Sequence, residues 1–259
     1  MTECRVHIDP LNPGQFFACC GLLDLMTLHD PTVIANFERA GNRPRSAQFV
    51  IQRNGEPSDL RTILRRLKCA VPEYLDERVE PAVRPVTIPY DGMPLVLDWW
   101  LNEFRDRPVS LKCWAGQVTT KNLFSELLPL LDEEVTPEGL FDSARMTKAK
   151  LGVDPRSAWN ALDFGFSPDK HGRDSAVFPA VEVLASIGLQ SFRPDTRERE
   201  KVCYALWQTP LPASVARQAF RNPWDGLPAI SYEFAIRKRG QSYKYFTLAN
   251  ETDKENPGK

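Results

Sequence analysis

The feature of the sequence that most constrains the fold is a change, close to the N-terminus, from strand-like alternation to a long apolar helix. Val6 and Ile8 alternate with polar neighbours, which indicates a short strand with one buried face. Asn12 is a favourable N-cap, and Pro13 can open the helix because the first helical residue needs no N–H donor. From Phe16 to Leu28 nearly every side chain is apolar or small. Such a helix must be covered on several sides, so the rest of the chain has to supply a large core.

Polar and sulfur-containing residues in this helix have structural explanations. Gln15 is the third helical residue, and we expect its side chain to bond back to the cap and complete a capping box. Cys19 and Cys20 lie within the apolar run, and we interpret them as small core residues. The six cysteines of the chain include no Cys-x-x-Cys pair, so the sequence does not predict a zinc or redox site of that kind.

Segments of both strand and helix periodicity follow along the chain. Residues 47–53 alternate as a strand does, and residues 58–69 carry leucine and isoleucine at helical spacing opposite a basic face. Thr119 or Thr120 is expected to cap a further helix. A short helix is predicted near residues 177–187, with Gly188 supplying its C-terminal stop.

The C-terminal region has the clearest strand pattern. Residues 230–236 alternate strictly between apolar and polar side chains, which predicts a β-hairpin that turns near Gly240. With the apolar helices, this pattern predicts an α+β fold: a largely antiparallel sheet with packed helices and a C-terminal β-hairpin. We expect residues 1–259 to form a single compact α+β unit, with a candidate hinge in the proline-rich interval near residues 72–94.

Size and hydropathy favour a cytoplasmic protein. The chain has 259 residues and is 42% hydrophobic, which is enough to bury a sizeable core. It contains no run of about 18 apolar residues that could span a bilayer. Its N-terminus lacks the basic-then-apolar order of a signal peptide. We therefore expect a cytoplasmic location and no membrane partner.

The formal net charge of −1 hides an uneven distribution of charge. Basic residues gather in residues 61–68, in residues 144–150 with Arg156 beyond them, and in residues 237–244. A nearly neutral chain with local basic patches is more typical of a subunit that completes a shared groove than of a free nucleic-acid binder.

Catalytic motifs are scarce. His29-Asp30 matches the dipeptide of metal-dependent phosphohydrolases, but the chain has only two other histidines, too few for such a site. We interpret this dipeptide as a helix end. His171, beside Lys170 and near Arg173, could act as a general acid or base in a metal-independent ribonuclease. A loop histidine with basic neighbours is more often a phosphate contact or merely exposed. The sequence predicts no enzyme activity, no cofactor and no metal site.

Residues 110–122 combine basic and aromatic side chains before a helix. Lys112 and Trp114 are two residues apart, hence on one side of an extended segment, and Lys121 lies near the start of the helix. Such a group could hold a phosphate and stack a base. The alternative is a core tryptophan followed by a capped helix.

Three blocks of the sequence together resemble a known family. They are "IDPLNPGQFFACCGLLDL" at residues 8–25, "LKCWAGQ" at residues 111–117, and "FGFSPD" through "FPAVEVLASIGLQSFRP" at residues 164–194. Their order and spacing resemble the large-subunit-like proteins of type I-G (formerly I-U) CRISPR effector systems. The chain is short for a full large subunit, and no helical bundle follows the α+β part.

The resemblance implies a role in antiviral defense as a non-catalytic Cascade subunit. In such a crRNA-guided surveillance complex, base pairing reads the sequence while protein subunits hold the backbone and sense a short flanking motif. The implied partners are crRNA, target DNA, other CRISPR effector-complex subunits, and a helicase-nuclease recruited in trans.

Two alternatives remain open beside this RNA-binding and DNA-binding role. One is a metal-independent endoribonuclease that matures crRNA with His171 or Tyr243, and the other is a scaffold that binds only proteins. For the nucleic-acid role we predict a surface of cations in loops, turns and short strands, with two aromatic residues as stacking partners. The predicted binding residues are Lys112, Trp114, Lys121, Arg145, Lys148, Lys150, Arg156, Lys170, Arg173, Arg237, Lys238, Arg239 and Tyr243.

Overall fold

A computed structural model describes residues 2–39, 41, 45–53, 60–76, 79–105, 107–114, 118–158, 174–239 and 243–252. In these ranges the chain forms five α-helices and fourteen strands. The helices are α1 Pro13–His29, α2 Leu60–Lys68, α3 Thr120–Leu127, α4 Pro179–Ser191 and α5 Ala213–Ala219. The strands are β1 Thr2–Ile8, β2 Ile34–Arg39, β3 Ala47–Arg53, β4 Glu73–Tyr74, β5 Val86–Tyr90, β6 Met93–Leu97, β7 Arg145–Thr147, β8 Ser175–Val177, β9 Val202–Trp207, β10 Leu211–Pro212, β11 Ala229–Phe234, β12 Ile236–Arg239, β13 Tyr243–Phe246 and β14 Asn250–Thr252.

The strands form several small sheets rather than one large one. A four-stranded sheet has the order β1-β3-β2-β10, and two three-stranded sheets have the orders β14-β11-β9 and β4-β5-β6. The pairs β7-β8 and β12-β13 form two-stranded ribbons. All of these pairings, within the ranges given above, are antiparallel. The predicted α+β class with antiparallel sheets and packed helices is confirmed.

The cap of helix α1 follows the prediction in one bond and departs from it in the other. Asn12 Oδ1 accepts a hydrogen bond from Gln15 N at 3.2 Å, as an N-cap should. Gln15 Oε1, however, accepts from Asp9 N at 2.6 Å instead of from the cap. The backbone N–H of Asn12 is already used, because it donates to Asp9 O at 2.9 Å. The expected capping box is therefore wrong in its second half, and Gln15 instead ties the helix to the end of β1.

Helix α1 is buried on all sides along most of its length, as its composition predicted. Phe16 stacks on Tyr204 of β9 at 4.5 Å between ring centroids and on Phe37 of β2 at 5.5 Å. Cys19 and Cys20 are fully buried in this core. The helix thus links the four-stranded sheet to the sheet that contains β9.

Two glycines allow helices α1 and α4 to approach closely. A Cβ atom on Gly21 would lie 2.0 Å from Leu184 O, and one on Gly188 would lie 2.0 Å from Phe17 O. Both distances are too short for any side chain, so the crossing requires glycine at each position. The prediction that Gly188 stops α4 is wrong, because the helix continues to Ser191.

The C-terminal hairpin is present as β12 and β13, with Lys238 opposite Lys244. Its predicted turn at Gly240 lies outside the described residues. β11 belongs to a different sheet, between β9 and β14. The proline-rich interval at 72–94 contains β4, β5 and the first residues of β6. Its role as a hinge stays a prediction.

None of the helices in the described ranges is long and apolar enough to cross a membrane. Helix α2 buries one leucine- and isoleucine-rich face and presents a basic face, as predicted. Thr119, rather than Thr120, caps α3 by accepting from Asn122 N at 3.2 Å. Thr120 is buried, and its hydroxyl donates to Arg84 O at 2.7 Å.

Candidate nucleic-acid interface

Three segments that are distant in sequence meet beside strand β13. Phe246 N donates to Gly152 O at 3.1 Å, and Lys244 N donates to Cys113 O at 2.9 Å. The β12–β13 hairpin therefore lies against both residues 148–157 and residues 110–114. We call the place where these three segments join the hairpin junction. It brings together two of the three basic patches that were recognised in the sequence.

A buried carboxylate positions the central loop of the hairpin junction. Glu182, in the first turn of α4, accepts hydrogen bonds from Leu151 N at 2.8 Å, Gly152 N at 3.1 Å and Asp154 N at 3.4 Å. Glu182 is fully buried. Burial, followed by the charge of Asp154, raises the pKa of Glu182 to about 7. Gly152 has a φ of 86°, which favours glycine at this point of the loop.

Asp154 fixes the other end of the same loop. Its Oδ1 accepts from Asn12 Nδ2 and from Arg156 N, each at 2.9 Å. Its Oδ2 accepts from Arg156 at 2.8 Å. The guanidinium of Arg156 also lies 3.5 Å from the ring centroid of Phe178. Arg156 is thus held by the fold on several sides, and only 28% of its side chain is exposed.

Lys112 and Trp114 do not form the exposed pair that was predicted. Trp114 is 3% exposed and packs edge-on against Trp99 and Trp100 at 5.9 and 5.3 Å. Lys112 is 8% exposed, and its ammonium donates to Trp114 O at 2.9 Å. Burial lowers the pKa of Lys112, and the nearby charge of Lys244 adds to the effect. The prediction that both residues belong to an exposed binding surface is wrong, because the indole completes a tryptophan cluster in the core.

The other predicted cations differ in their exposure and in the contacts that they make within the protein. Lys148, Arg237 and Lys238 are exposed, and Arg237 Nε lies 3.7 Å from Glu200. Lys150 donates to Ser157 O at 3.5 Å and to Ser175 Oγ at 3.2 Å. Lys150 therefore joins the two described ends that flank residues 159–173.

Two predicted cations lie apart from these contacts. Arg145 forms an ion pair with Asp132 at 2.9 Å. Lys121, on α3, lies 5.5 Å from the ring centroid of Tyr74. Neither contact involves a residue of the hairpin junction. We therefore base the candidate interface on Lys148, Arg237 and Lys238.

Several predicted residues lie outside what the structure describes. Lys170, His171 and Arg173 fall in residues 159–173, and the side chain of Arg239 is also outside the description. Tyr243 is half-buried and lines a cavity of about 20 Å³ that Trp114 also lines. A space of that size holds roughly one water and no base.

The predicted binding residues omit two basic residues, Arg199 and Lys244, that join the hairpin to its surroundings. Arg199 Nε donates to Ser110 Oγ at 2.9 Å, and Arg199 O accepts from Ile236 N at 2.8 Å. Lys244 donates its ammonium to Ser110 O at 3.0 Å. Residues 193–201 alternate cations and anions, so their charge nearly cancels in any sum over the segment. Counting the arginines of this segment separately from its acids would have drawn attention to it.

Comparisons with protein-family models, with curated proteins and with solved structures found no match. Within the described ranges, no group of three or more His, Cys, Asp or Glu side chains could hold a metal ion. His29 ends helix α1, and its Nδ1 lies 3.3 Å from Asp91. The geometry of the hairpin junction is therefore the basis of the functional argument that follows.

Proposed function

We propose that the protein is a non-catalytic, nucleic-acid-contacting subunit of a crRNA-guided type I-G CRISPR surveillance complex in the cytoplasm. It would contact crRNA and target DNA beside sister subunits, help to sense the flanking motif, and leave target cleavage to a helicase-nuclease recruited in trans. The observation that carries the proposal is the joining of two basic segments at the hairpin junction.

The charges at this junction suit a phosphate backbone. Lys148 precedes the loop that Glu182 and Asp154 fix by hydrogen bonds at residues 151–156, and Arg237 and Lys238 lie on a paired strand. Because the backbone that carries these cations is already ordered, binding a phosphate has to order only their side chains. Contacts of this kind give affinity without base preference, which suits a subunit of a complex in which the guide reads the sequence.

The test compares charge reversal at the hairpin with charge reversal elsewhere. The double change Arg237→Glu with Lys238→Glu, and the single change Lys148→Glu, are titrated with guide-loaded complex and target duplex at several salt concentrations. We expect weaker binding of all sequences alike. The salt dependence should become flatter by about one unit of slope for each phosphate that the variant no longer neutralises.

The control is the double change Arg61→Glu with Arg65→Glu on the exposed basic face of α2. It alters the net charge as much as the double change at the hairpin does, and it should leave the affinity and the salt dependence nearly unchanged. If the hairpin and control variants behave alike, or if the hairpin variants bind as well as the wild type, the proposed interface is refuted.

A further inference from the structure

A further cavity is lined by none of the residues that the sequence singled out for binding. Its volume is about 690 Å³. It is lined by Asp195, Arg197, Glu198, Lys201, Cys203 and Arg221. Cavities of roughly 300–1,000 Å³ are large enough for small ligands. We call it the Arg221 cavity.

The cations of the Arg221 cavity are only partly neutralised by the protein. Asp195 accepts from Arg197 Nε at 2.8 Å and is therefore already paired. Arg221 donates to the backbone carbonyl of Arg193, and within the described residues no carboxylate forms an ion pair with it. Lys201 is exposed and has no ion pair in the same ranges. Three cations against two acids thus give the lining residues a formal excess of one positive charge.

Arg193 does not line the cavity, but its backbone carbonyl accepts from Arg221. Arg193 lies 3.8 Å from Asp98, but Asp98 is shared, since Arg105 approaches its other oxygen at 2.6 Å. Burial lowers the pKa of Arg193, and the neighbouring charge of Arg221 lowers it further. Arg221, which has no carboxylate partner within the described ranges, lines the cavity with its charge available to attract an anion.

An exposed indole follows Arg221 in the chain. Trp224 is 45% exposed, and its carbonyl accepts from Leu227 N at 3.1 Å in a tight turn. A tryptophan left partly in water on an ordered turn offers a flat surface on which a nucleobase can stack. Cations for phosphates and an aromatic ring for a base are the usual pair of features in single-strand binding.

The cavity also adjoins the hairpin. Residues 195–201, which line it in part, meet β12 through the bond from Ile236 N to Arg199 O at 2.8 Å. Arg237 of β12 lies 3.7 Å from Glu200. A single-stranded nucleic acid that contacts the hairpin could therefore continue along residues 195–201 into the cavity.

We propose that the Arg221 cavity binds the phosphodiester backbone of a single-stranded nucleic acid, with Trp224 stacking on one of its bases. This inference rests on the proposed function, because it extends the path of the bound nucleic acid beyond the hairpin junction. It adds a site made of Arg197, Lys201, Arg221 and Trp224.

Cys203 can report on binding at the cavity, because it lines the cavity and is an exposed residue. Cys69, just after α2, is also exposed and serves as an internal reference. Full-length protein is reacted with a maleimide in the presence of oligouridylate or oligothymidylate of about twelve nucleotides. Peptide mapping then gives the labelling rate of each cysteine separately.

We expect the strand to slow the labelling of Cys203 by about tenfold at roughly nine-tenths occupancy, because only free protein then reacts. The rate at Cys69 should not change. Comparing the two oligonucleotides shows whether RNA or DNA is preferred. Inorganic phosphate at the same concentration of phosphate groups should protect far less, and equal protection by phosphate would overturn the inference of a strand.

Variants test the assignment of roles. The double change Lys201→Glu with Arg221→Glu should abolish the protection, whereas Trp224→Ala should weaken binding by about 5- to 150-fold, the usual range for removing one stacked base. Both changes are at exposed positions, and unchanged thermal unfolding would confirm that the fold is intact.

The outcomes separate this inference from the proposed function. One outcome is that the oligonucleotide binds, the Arg237 and Lys238 variant binds it more weakly, and the labelling rate of Cys203 does not change. That outcome refutes the cavity site and supports the hairpin interface. If Cys203 is protected while the hairpin variant binds normally, the cavity site stands and the hairpin interface is refuted. Failure of the wild-type protein to bind either oligonucleotide refutes the cavity site, whereas the hairpin interface is tested separately by the titration of the guide-loaded complex.

Discussion

Trp114 and Lys112 show what residue spacing can and cannot say about a side chain. Because Lys112 and Trp114 are separated by one residue, their side chains were expected to lie on the same side of an extended segment. The ammonium of Lys112 does lie 5.0 Å from the Trp114 ring centroid. Spacing does not say whether that side faces water or the core. Here it faces two other tryptophans, and the Trp114 indole donates to Ala82 O at 3.0 Å. The contact that looked like a binding pair therefore belongs to the core.

The burial of Trp114 leads to a stability prediction. Trp114→Ala should lower the free energy of unfolding by about 3–5 kcal/mol, because a large buried ring is removed and a cavity is left. Urea denaturation measures the change. Trp224→Ala removes the same ring from an exposed site, and we expect it to cost less than about 1 kcal/mol. Equal effects of the two changes would contradict the burial of Trp114.

At the scale of elements, the crossing of α1 and α4 determines which residues are tolerated. Gly188 was expected to stop α4, since glycine is common just after a helix. Its actual position is inside the helix, where the backbone of α1 leaves no space for a Cβ atom. That requirement comes from the partner helix and cannot be seen in the sequence of α4 alone.

This crossing predicts the effect of a single methyl group. Gly188→Ala should destabilise the protein by at least about 1–3 kcal/mol, the usual cost of overpacking a core. Helix propensity alone would predict a gain of about 1 kcal/mol, so the sign of the change is decisive. Gly139→Ala is the control, because its Cβ would meet only ordinary contacts at 3.6 and 3.7 Å. Thermal unfolding of the two variants measures the difference.

The contact between α4 and residues 151–154 predicts a pH dependence. Burial raises the pKa of Glu182 from an ordinary value of 4.5 to about 7, so folding favours its neutral form. The resulting stability is fully present below about pH 4.5 and is lost as the pH rises through about 7, by roughly 3 kcal/mol in total. The free energy of unfolding should therefore fall between pH 5 and pH 8. Subtracting the pH profile of a variant that lacks the Glu182 carboxyl removes the contribution of the other titrating groups.

Glu182→Gln is that variant. The amide cannot titrate, so the decline with pH should flatten. Its NH₂ group would also face a backbone N–H of the loop, and we expect a loss of about 1–3 kcal/mol at pH 5. Parallel pH profiles for the wild type and the variant would show that Glu182 does not titrate in this range.

At the scale of the whole molecule, the features that could be predicted from the sequence are those that depend on residues close together in the chain. The burial of α1, the cap at Asn12 and the C-terminal hairpin follow from neighbours within a few residues. What the sequence could not predict depends on residues far apart. Arg199 meets Ser110, and Arg221 meets Arg193, only after the chain has folded. For the same reason, the hairpin junction was predicted as separate basic patches and the Arg221 cavity was not predicted at all.

The central claim is that this chain contacts nucleic acid as a subunit of a guide-containing complex. The most direct measurement is purification of the tagged chain, co-expressed with its sister subunits and a CRISPR array, followed by ultraviolet cross-linking and mapping of the cross-linked peptides. We predict that crRNA co-purifies, remains uncleaved by this chain, and cross-links to peptides from residues 148–157 or 236–246. If sister subunits co-purify but no nucleic acid cross-links to this chain, the central claim is contradicted. The chain would then be a scaffold that binds only proteins. Cleavage of labelled repeat RNA by the purified chain in EDTA, abolished in His171→Ala, would establish the ribonuclease instead.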